Sequence, residues 1–192
     1  MTVAVIVQAR MGSTRLRGKV LMEVGGTTVL DHVLRRCQAI AGADVVCCAI
    51  PESNDSDPVA DEARRIGVEV FRGSESDVLD RYWRAARALK ADVVMRVTSD
   101  CPLLDPAVAA EVLALRSRES ADYACNFDKP TWPLGLDCEA LTFAWLERAA
   151  REATKSYDRE HVTPYVREHP ESRKANFPCP VAGVAKHRWT LD

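Results

Sequence analysis

No apolar run in this sequence is long enough to cross a bilayer, and the N-terminal stretch Val3–Val7 is only five residues long with no basic segment before it. Neither a membrane-spanning helix nor a secretory leader is therefore expected, and the expected location is the cytoplasm. Seven cysteines are present, at 37, 47, 48, 101, 125, 138 and 179, but no C-x-x-C pair and no Cys/His spacing of a zinc site. They read as small buried apolar residues. Cys101 sits in a polar loop, yet no histidine lies near it in sequence to activate it as a nucleophile. Charge of one sign is lacking too: 26 Lys and Arg against 28 Asp and Glu give a formal net charge of −2. Such a balance gives no general attraction to nucleic acid. Repeats, low-complexity segments and linkers are absent, so residues 1–192 are expected to form a single domain.

What the sequence does have is a concentrated basic loop. Val3–Val7 reads as a fully buried strand, and it empties into Gln8–Lys19, with two glycines, two hydroxyls and four cations. Gly12 and Gly18 allow close backbone approach, Ser13 and Thr14 add hydroxyl donors, and Arg10, Arg15, Arg17 and Lys19 supply charge. That composition suits a phosphate-holding loop, the alternative being a solvated basic turn. The glycines match neither the Walker A nor the G-x-G-x-x-G spacing, which removes the main support for an ATPase or a Rossmann dehydrogenase.

Strand and helix patterns alternate thereafter. Val20–Val24 reads as a strand ending at Gly25-Gly26, and Thr28 as the N-cap of a helix with Val29, Leu30, Val33, Leu34, Cys37 and Ile40 on one face. A strand over Val45–Ile50 leads to a helix begun by Pro58 and ended by Gly67; Val68–Phe71 is a third strand. The loop at 72–77 opens a helix from Val78 to Leu89, and a fourth strand, Val93–Val97, runs into Thr98-Ser99-Asp100-Cys101-Pro102 before a helix begun at Asp105-Pro106. This spacing predicts an α/β fold whose parallel sheet is covered on both faces, with the loops at 8–19, 72–77 and 98–102 at the carboxyl ends of strands. Beyond 122 the texture changes to short strands at 123–126 and 136–141, a helix capped by Thr142, and an extended tail, read as an appendage for acceptor or subunit contacts.

The acidic residues bear on the chemistry. Asp100 follows an otherwise apolar strand at the same sheet edge as the basic loop; it either holds Mg²⁺ beside bound phosphates or caps the turn before Pro102. Asp192 is a second candidate ligand, or a frayed end. His161 is either a general base or a structural histidine, and Trp132 either stacks on a sugar or base or packs.

Five motifs then carry a resemblance along the whole chain: Gln-Ala-Arg-Met-Gly-Ser-Thr-Arg-Leu-x-Gly-Lys at 8–19, Phe-Arg-Gly-Ser-Glu-x-Asp-Val-Leu-Asp-Arg-Tyr at 71–82, Thr-x-Asp-Cys-Pro-Leu at 98–103, Gly-Leu-Asp-x-Glu at 135–139 and Arg-Glu-His-Val-Thr-Pro-Tyr at 159–165. The sequence resembles the cytidylyltransferases that activate acidic sugars, the CMP-Kdo and CMP-sialic acid synthetases, and above all the spore-coat polysaccharide family SpsF. The resemblance implies a three-layer α/β/α, Rossmann-like fold of the glycosyltransferase-A type and Mg²⁺-dependent transfer of CMP from CTP to an acidic sugar by a homodimer, without nucleic acid or membrane.

By that resemblance Ala9, Arg10, Gly12, Ser13, Arg15, Lys19, Ser74 and Thr98 hold the nucleotide, with Arg10, Lys19 and Asp100 catalytic. Asp100 and Asp192 ligate the metal, and Asn126, Asp137, Glu139, Arg159 and His161 meet the acceptor. The sequence departs from the family at position 17, Arg in place of the usual Pro, and at its end, since family members continue past Asp192 with an aspartate-rich turn and a helix. A chain ending there is expected to anchor the second metal position poorly. Two other readings stay open: a nucleotide-binding module without turnover, and a nucleotide-sugar-dependent glycosyltransferase. The second is disfavoured because Asp100 lacks the Asp-x-Asp partner.

Overall fold

The computed structural model describes residues 1–12 and 16–191. Its core is a seven-stranded sheet of β1 (Val3–Gln8), β4 (Val45–Pro51), β5 (Glu69–Gly73), β6 (Val93–Thr98), β7 (Tyr123–Cys125), β8 (Glu139–Thr142) and β9 (Lys174–Asn176), in the spatial order β5-β4-β1-β6-β8-β7-β9. β8 runs antiparallel to both neighbours, while the other pairings are parallel. The sheet is therefore mostly parallel, as the alternating pattern predicts.

Side-chain alternation along β1 shows why both faces are covered. Val3, Val5 and Val7 pack into one buried cluster with α1 (Val29–Gln38), α2 (Asp57–Arg65) and α4 (Pro106–Arg118), whereas Ala4 and Ile6 pack into another with α3 (Val78–Ala88) and α5 (Phe143–Glu152). A strand apolar on both sides needs a helix layer on each, and the result is three layers, α/β/α. Local chemistry fixes where the helices start: the side chains of Thr28, Asp77, Asp105 and Thr142 accept backbone N–H groups of the first turns of α1, α3, α4 and α5.

Three sequence expectations need correction. Residues 20–24 do not form one strand: Lys19–Leu21 make a short 3-10 turn, and β2 (Glu23–Val24) pairs with β3 (Thr27–Thr28) as a hairpin. The cause is Gly25-Gly26, both at positive φ (62° and 89°), which supplies a two-residue hairpin turn. Residues 136–138 also stay outside the strand that begins at Glu139. Finally, the last third is no appendage, since β7, β8 and β9 complete the sheet and Val162 and Val166 enter its core. The segment around Pro164 is two short helices, α6 (Ser156–His161) and α7 (Pro164–Glu168), broken where Val162 takes φ 71°.

The connectivity creates one crevice. The chain leaves β1 for β4 and β5 on one side and returns to β6 on the other, so the loops after β1 and β6 diverge where Gln8 stands opposite Thr98. Such a reversal of strand order at the carboxyl edge is where open α/β sheets bind ligands. The Tyr82 hydroxyl, wholly buried, lies 3.1 Å from the Ile6 carbonyl and 3.3 Å from that of Val97, tying the two strands together just below the crevice.

Candidate active site

The basic loop and the Asp100 loop face each other across this crevice. Ala9, Arg10, Gly12, Lys19, Thr98 and Asp100 line one cleft of about 340 Å³. Gly18 folds the loop back, since its N–H donates to the Met11 carbonyl at 3.0 Å and its φ of 72° favours glycine. The turn that follows presents Lys19, whose ammonium donates to Asp100 Oδ2 at 3.2 Å and to the Leu191 carbonyl at 2.9 Å. The Leu191 N–H in turn donates to the Asp100 carbonyl at 2.9 Å. Three segments distant in sequence thus meet around one cation and one carboxylate.

Burial alone would raise the pKa of Asp100, but the Thr98 hydroxyl and the Lys19 ammonium more than offset it and hold the carboxyl below the usual range. The group is an anion at neutral pH. Its neighbour Cys101 is the reverse case: burial, only partly offset by Thr98, pushes the thiol up to about 12, so it stays protonated and is no nucleophile. A hard divalent cation fits the carboxylate of Asp100, whose side chain is one-third exposed to the cleft. Among the described residues no three acidic, histidine or cysteine side chains cluster as a cage, so such an ion would share its coordination with phosphate oxygens and water.

The other expected site residues fall in different places. Ser13 and Arg15, with Thr14 between them, and Asp192 lie outside the described residues. Ser74 is not in the cleft; its hydroxyl accepts the Asp77 N–H at 3.0 Å and it faces a separate surface hollow. Asn126 is wholly buried, donating to the Leu136 carbonyl at 2.8 Å and accepting the Cys138 N–H at 3.0 Å, so its role is to fix the loop before β8. The Arg159 guanidinium grips Asp77 and the Ala150 carbonyl, locking α6 onto the start of α3 rather than reaching a ligand. His161 lines the cleft of Arg10, Lys19 and Asp100 and is not among the residues around Asp137 and Glu139.

Asp137 and Glu139 line a second cavity, of about 440 Å³, which has Thr98 as a lining residue in common with the first. Glu139 is nearly inaccessible, pairing with Arg96 Nη1 at 2.6 Å and accepting the Tyr123 hydroxyl at 2.7 Å. Burial, with Glu139 and Asp100 adding to it against a hydrogen bond from the Gly135 N–H, raises the pKa of Asp137. Phe127 and Trp132 give this cavity an aromatic wall; the Trp132 indole N–H donates to the Phe177 carbonyl at 2.8 Å, which holds the ring in place.

Buried polar atoms without a protein partner add residues not singled out from the sequence. Among the described residues five such side-chain atoms occur, and three belong to residues lining these two cavities: Gln8 Oε1 and Arg81 Nε in the first, Arg96 Nε in the second. Orphaned buried polar atoms are rare because each costs roughly 1–3 kcal/mol. Arg81 is 2% exposed, donates to the Ser74 carbonyl, and has room only because residue 73 is glycine, where an added Cβ would come within 3.0 Å of its Cγ. A signal for Arg96 existed in the sequence, as the lone charge in an apolar strand; Arg81 looked like one more turn of a core-facing helix.

Comparison with known proteins decides the family. A family model described as cytidylyltransferase matches residues 4–188. The chain belongs to the cytidylyltransferase family. Among curated relatives, the spore coat polysaccharide biosynthesis protein SpsF of Bacillus subtilis is 34% identical over 177 residues, 90% of this chain and 72% of that protein. A cytidylyltransferase from Leptospira borgpetersenii superposes with a TM-score of 0.93 at 34% identity, covering 100% of this chain and 82% of that one. At 16% identity, CMP:2-keto-3-deoxy-manno-octonic acid synthetase complexed with CTP shares the fold with a TM-score of 0.71, over 95% of this chain and 92% of the other. No helix among the described residues of this cytidylyltransferase is long and apolar enough to cross a membrane.

Proposed function

We propose that this cytidylyltransferase moves CMP from CTP to a hydroxyl of a sugar-type acceptor with Mg²⁺ as cofactor, releasing pyrophosphate. The acceptor hydroxyl gives up its proton to solvent as its oxygen forms a bond to the α-phosphorus, the bond from that phosphorus to the bridging oxygen breaks, and pyrophosphate carries away the electron pair. The observation that carries the reading is the junction of Lys19, Asp100 and Leu191 at the carboxyl edge, beside Arg10 and the orphaned donor of Arg81. Phosphoryl and nucleotidyl transfers need positioning and charge neutralisation more than a covalent nucleophile, and this cleft offers both.

In this reading Arg10 and Lys19 bind the phosphates, Ala9 and Gly12 bring backbone close to the nucleotide, and Asp100 holds the cation with Asp192. The bound cation supplies neutralisation of the phosphate charge. Thr98 lines both the nucleotide cleft and the cavity of Asp137 and Glu139, which is the acceptor side in this reading.

The test is a screen of the four nucleoside triphosphates for Mg²⁺-dependent thermal stabilisation, followed by pyrophosphate release with CTP and candidate sugars. Preferential stabilisation by CTP is expected; preference for ATP or GTP overturns the nucleotide assignment. CTP binding with no acceptor-dependent pyrophosphate from any sugar favours a binding module without turnover.

A further inference from the structure

The carboxylate of Asp100 is held on both of its oxygens. Oδ2 accepts the Lys19 ammonium at 3.2 Å, and Oδ1 accepts the Cys101 thiol, whose Sγ stands 3.7 Å away. A thiol only 4% exposed keeps its proton, which makes the sulfur the donor in this contact. With that single proton directed at Asp100, the sulfur is left to accept the Thr98 hydroxyl at 3.4 Å. Thr98 ends β6, and the Leu104 N–H donates to the Cys101 carbonyl at 3.1 Å, so the thiol rides on backbone that is fixed on both sides.

Two more familiar roles for Cys101 are closed. A protonated thiol is a poor nucleophile, and soft sulfur is a poor match for a hard cation that shares phosphate oxygens. Cys101 is also not among the described residues lining either cavity, so its influence on a ligand has to pass through the side chain it touches. That side chain is Asp100. In the proposed function Lys19 serves the phosphates and the cleft-facing part of the carboxylate takes the cation, so both of those contacts are rearranged when the nucleotide arrives. The buried thiol contact can persist through the exchange and keep the carboxylate in one orientation, as partners behind a metal ligand do.

We propose that Cys101 is a positioning residue for Asp100, its thiol holding the carboxylate in the orientation that receives the cation and so strengthening the binding of nucleotide with Mg²⁺. The inference rests on the reading of the cleft as a CTP site and of Asp100 as its metal ligand.

The experiment is calorimetric titration of the full chain with CTP, in Mg²⁺ and again in EDTA, for the natural protein, Cys101→Ala and Cys101→Ser. Loss of a partner behind a metal ligand costs about 10–100-fold in metal affinity, and a thiol is a weak donor, so Cys101→Ala is expected to bind CTP about tenfold more weakly in Mg²⁺ and unchanged in EDTA. Cys101→Ser keeps a donor and is expected to retain most of the Mg²⁺-dependent affinity. Normal affinity of Cys101→Ala in Mg²⁺, an equal loss with and without Mg²⁺, which is the mark of a packing role, or a serine variant no better than alanine would each overturn the proposal. The natural protein separates the two readings. If it binds no CTP the nucleotide assignment falls and takes this inference with it, whereas Mg²⁺-dependent CTP binding that Cys101→Ala leaves intact sinks this inference alone.

Discussion

Gly135→Ala tests the geometry of the site from a residue outside the nucleotide cleft. Gly135 has φ 108°, and an added Cβ would stand 2.7 Å from the Trp189 carbonyl carbon and 2.8 Å from its oxygen. Those atoms belong to the final segment, which runs beside Leu134: the Leu134 N–H donates to the His187 carbonyl at 3.1 Å and the Trp189 N–H to the Leu134 carbonyl at 2.7 Å. Restoring an ordinary contact needs a separation of about 0.7 Å, and the segment that must give is the one delivering Leu191 to Lys19 and Asp100. Strain at the left-handed position adds about 1–3 kcal/mol, and misplacement near 1 Å at a reacting centre costs up to roughly a hundredfold. Calorimetric titration with CTP is expected to show a loss of about tenfold in affinity with Mg²⁺ present and little change without it, together with a melting temperature lower by a few degrees. Unchanged Mg²⁺-dependent affinity in a folded Gly135→Ala protein would refute the idea that the final segment completes the site.

Asp100→Asn and Lys19→Ala are each expected to lower turnover at least a hundredfold, measured as pyrophosphate release, while the circular dichroism melt stays cooperative. Near-normal turnover in either removes that residue from the mechanism. Glu139→Ala strands the Arg96 guanidinium in a nearly inaccessible place and is expected to cost about 3–5 kcal/mol in urea unfolding; a cost under ~1 kcal/mol would show that water reaches the pair. Asp31 supplies a pH test. Burial would raise its pKa, but Arg35 and Arg65, each at 2.6 Å, outweigh this and depress it. A depressed carboxyl contributes stability that is present above 3.8, its unfolded value, and lost as pH falls through the lower folded value. The gap in stability between the natural protein and Asp31→Asn should therefore hold at pH 6 and close in strong acid, and a gap that widens toward acid contradicts the ion-pair account.

The fold and half of the site were legible because they rest on short-range signals. The apolar run of β1, the caps at Thr28, Asp105 and Thr142, and the spacing of strands and helices each act within a few residues. The hairpin of β2 and β3 was missed because Lys19–Leu21, apolar at two of three positions, looks strand-like until the two glycines are given their positive φ. Ser74, Asn126 and Arg159 were placed in the site by motif, yet each satisfies its polar atoms on neighbouring backbone or on Asp77. Whether a polar side chain serves the fold or a ligand depends on partners distant in sequence, such as the 82 positions between Arg159 and Asp77.

The same reasoning explains which polar groups the site keeps open. Glu139 and Arg96 are 43 positions apart and neutralise each other, so the motif that contains Glu139 builds the wall of a cavity rather than an anion contact. Arg81 has no such carboxylate among the described residues, and Arg10 lies near enough to lower its pKa further after burial has done so. Two guanidiniums facing one cleft repel until an anion stands between them, and in the proposed function the triphosphate of CTP would supply that anion. Stability and ligand affinity should then trade against each other at this position. Arg81→Met removes a buried charge and its repulsion from Arg10, so it is expected to leave the melting temperature equal or higher while weakening CTP binding about tenfold or more. A variant that melts lower and binds CTP normally would place Arg81 among the structural arginines with Arg96 and Arg159.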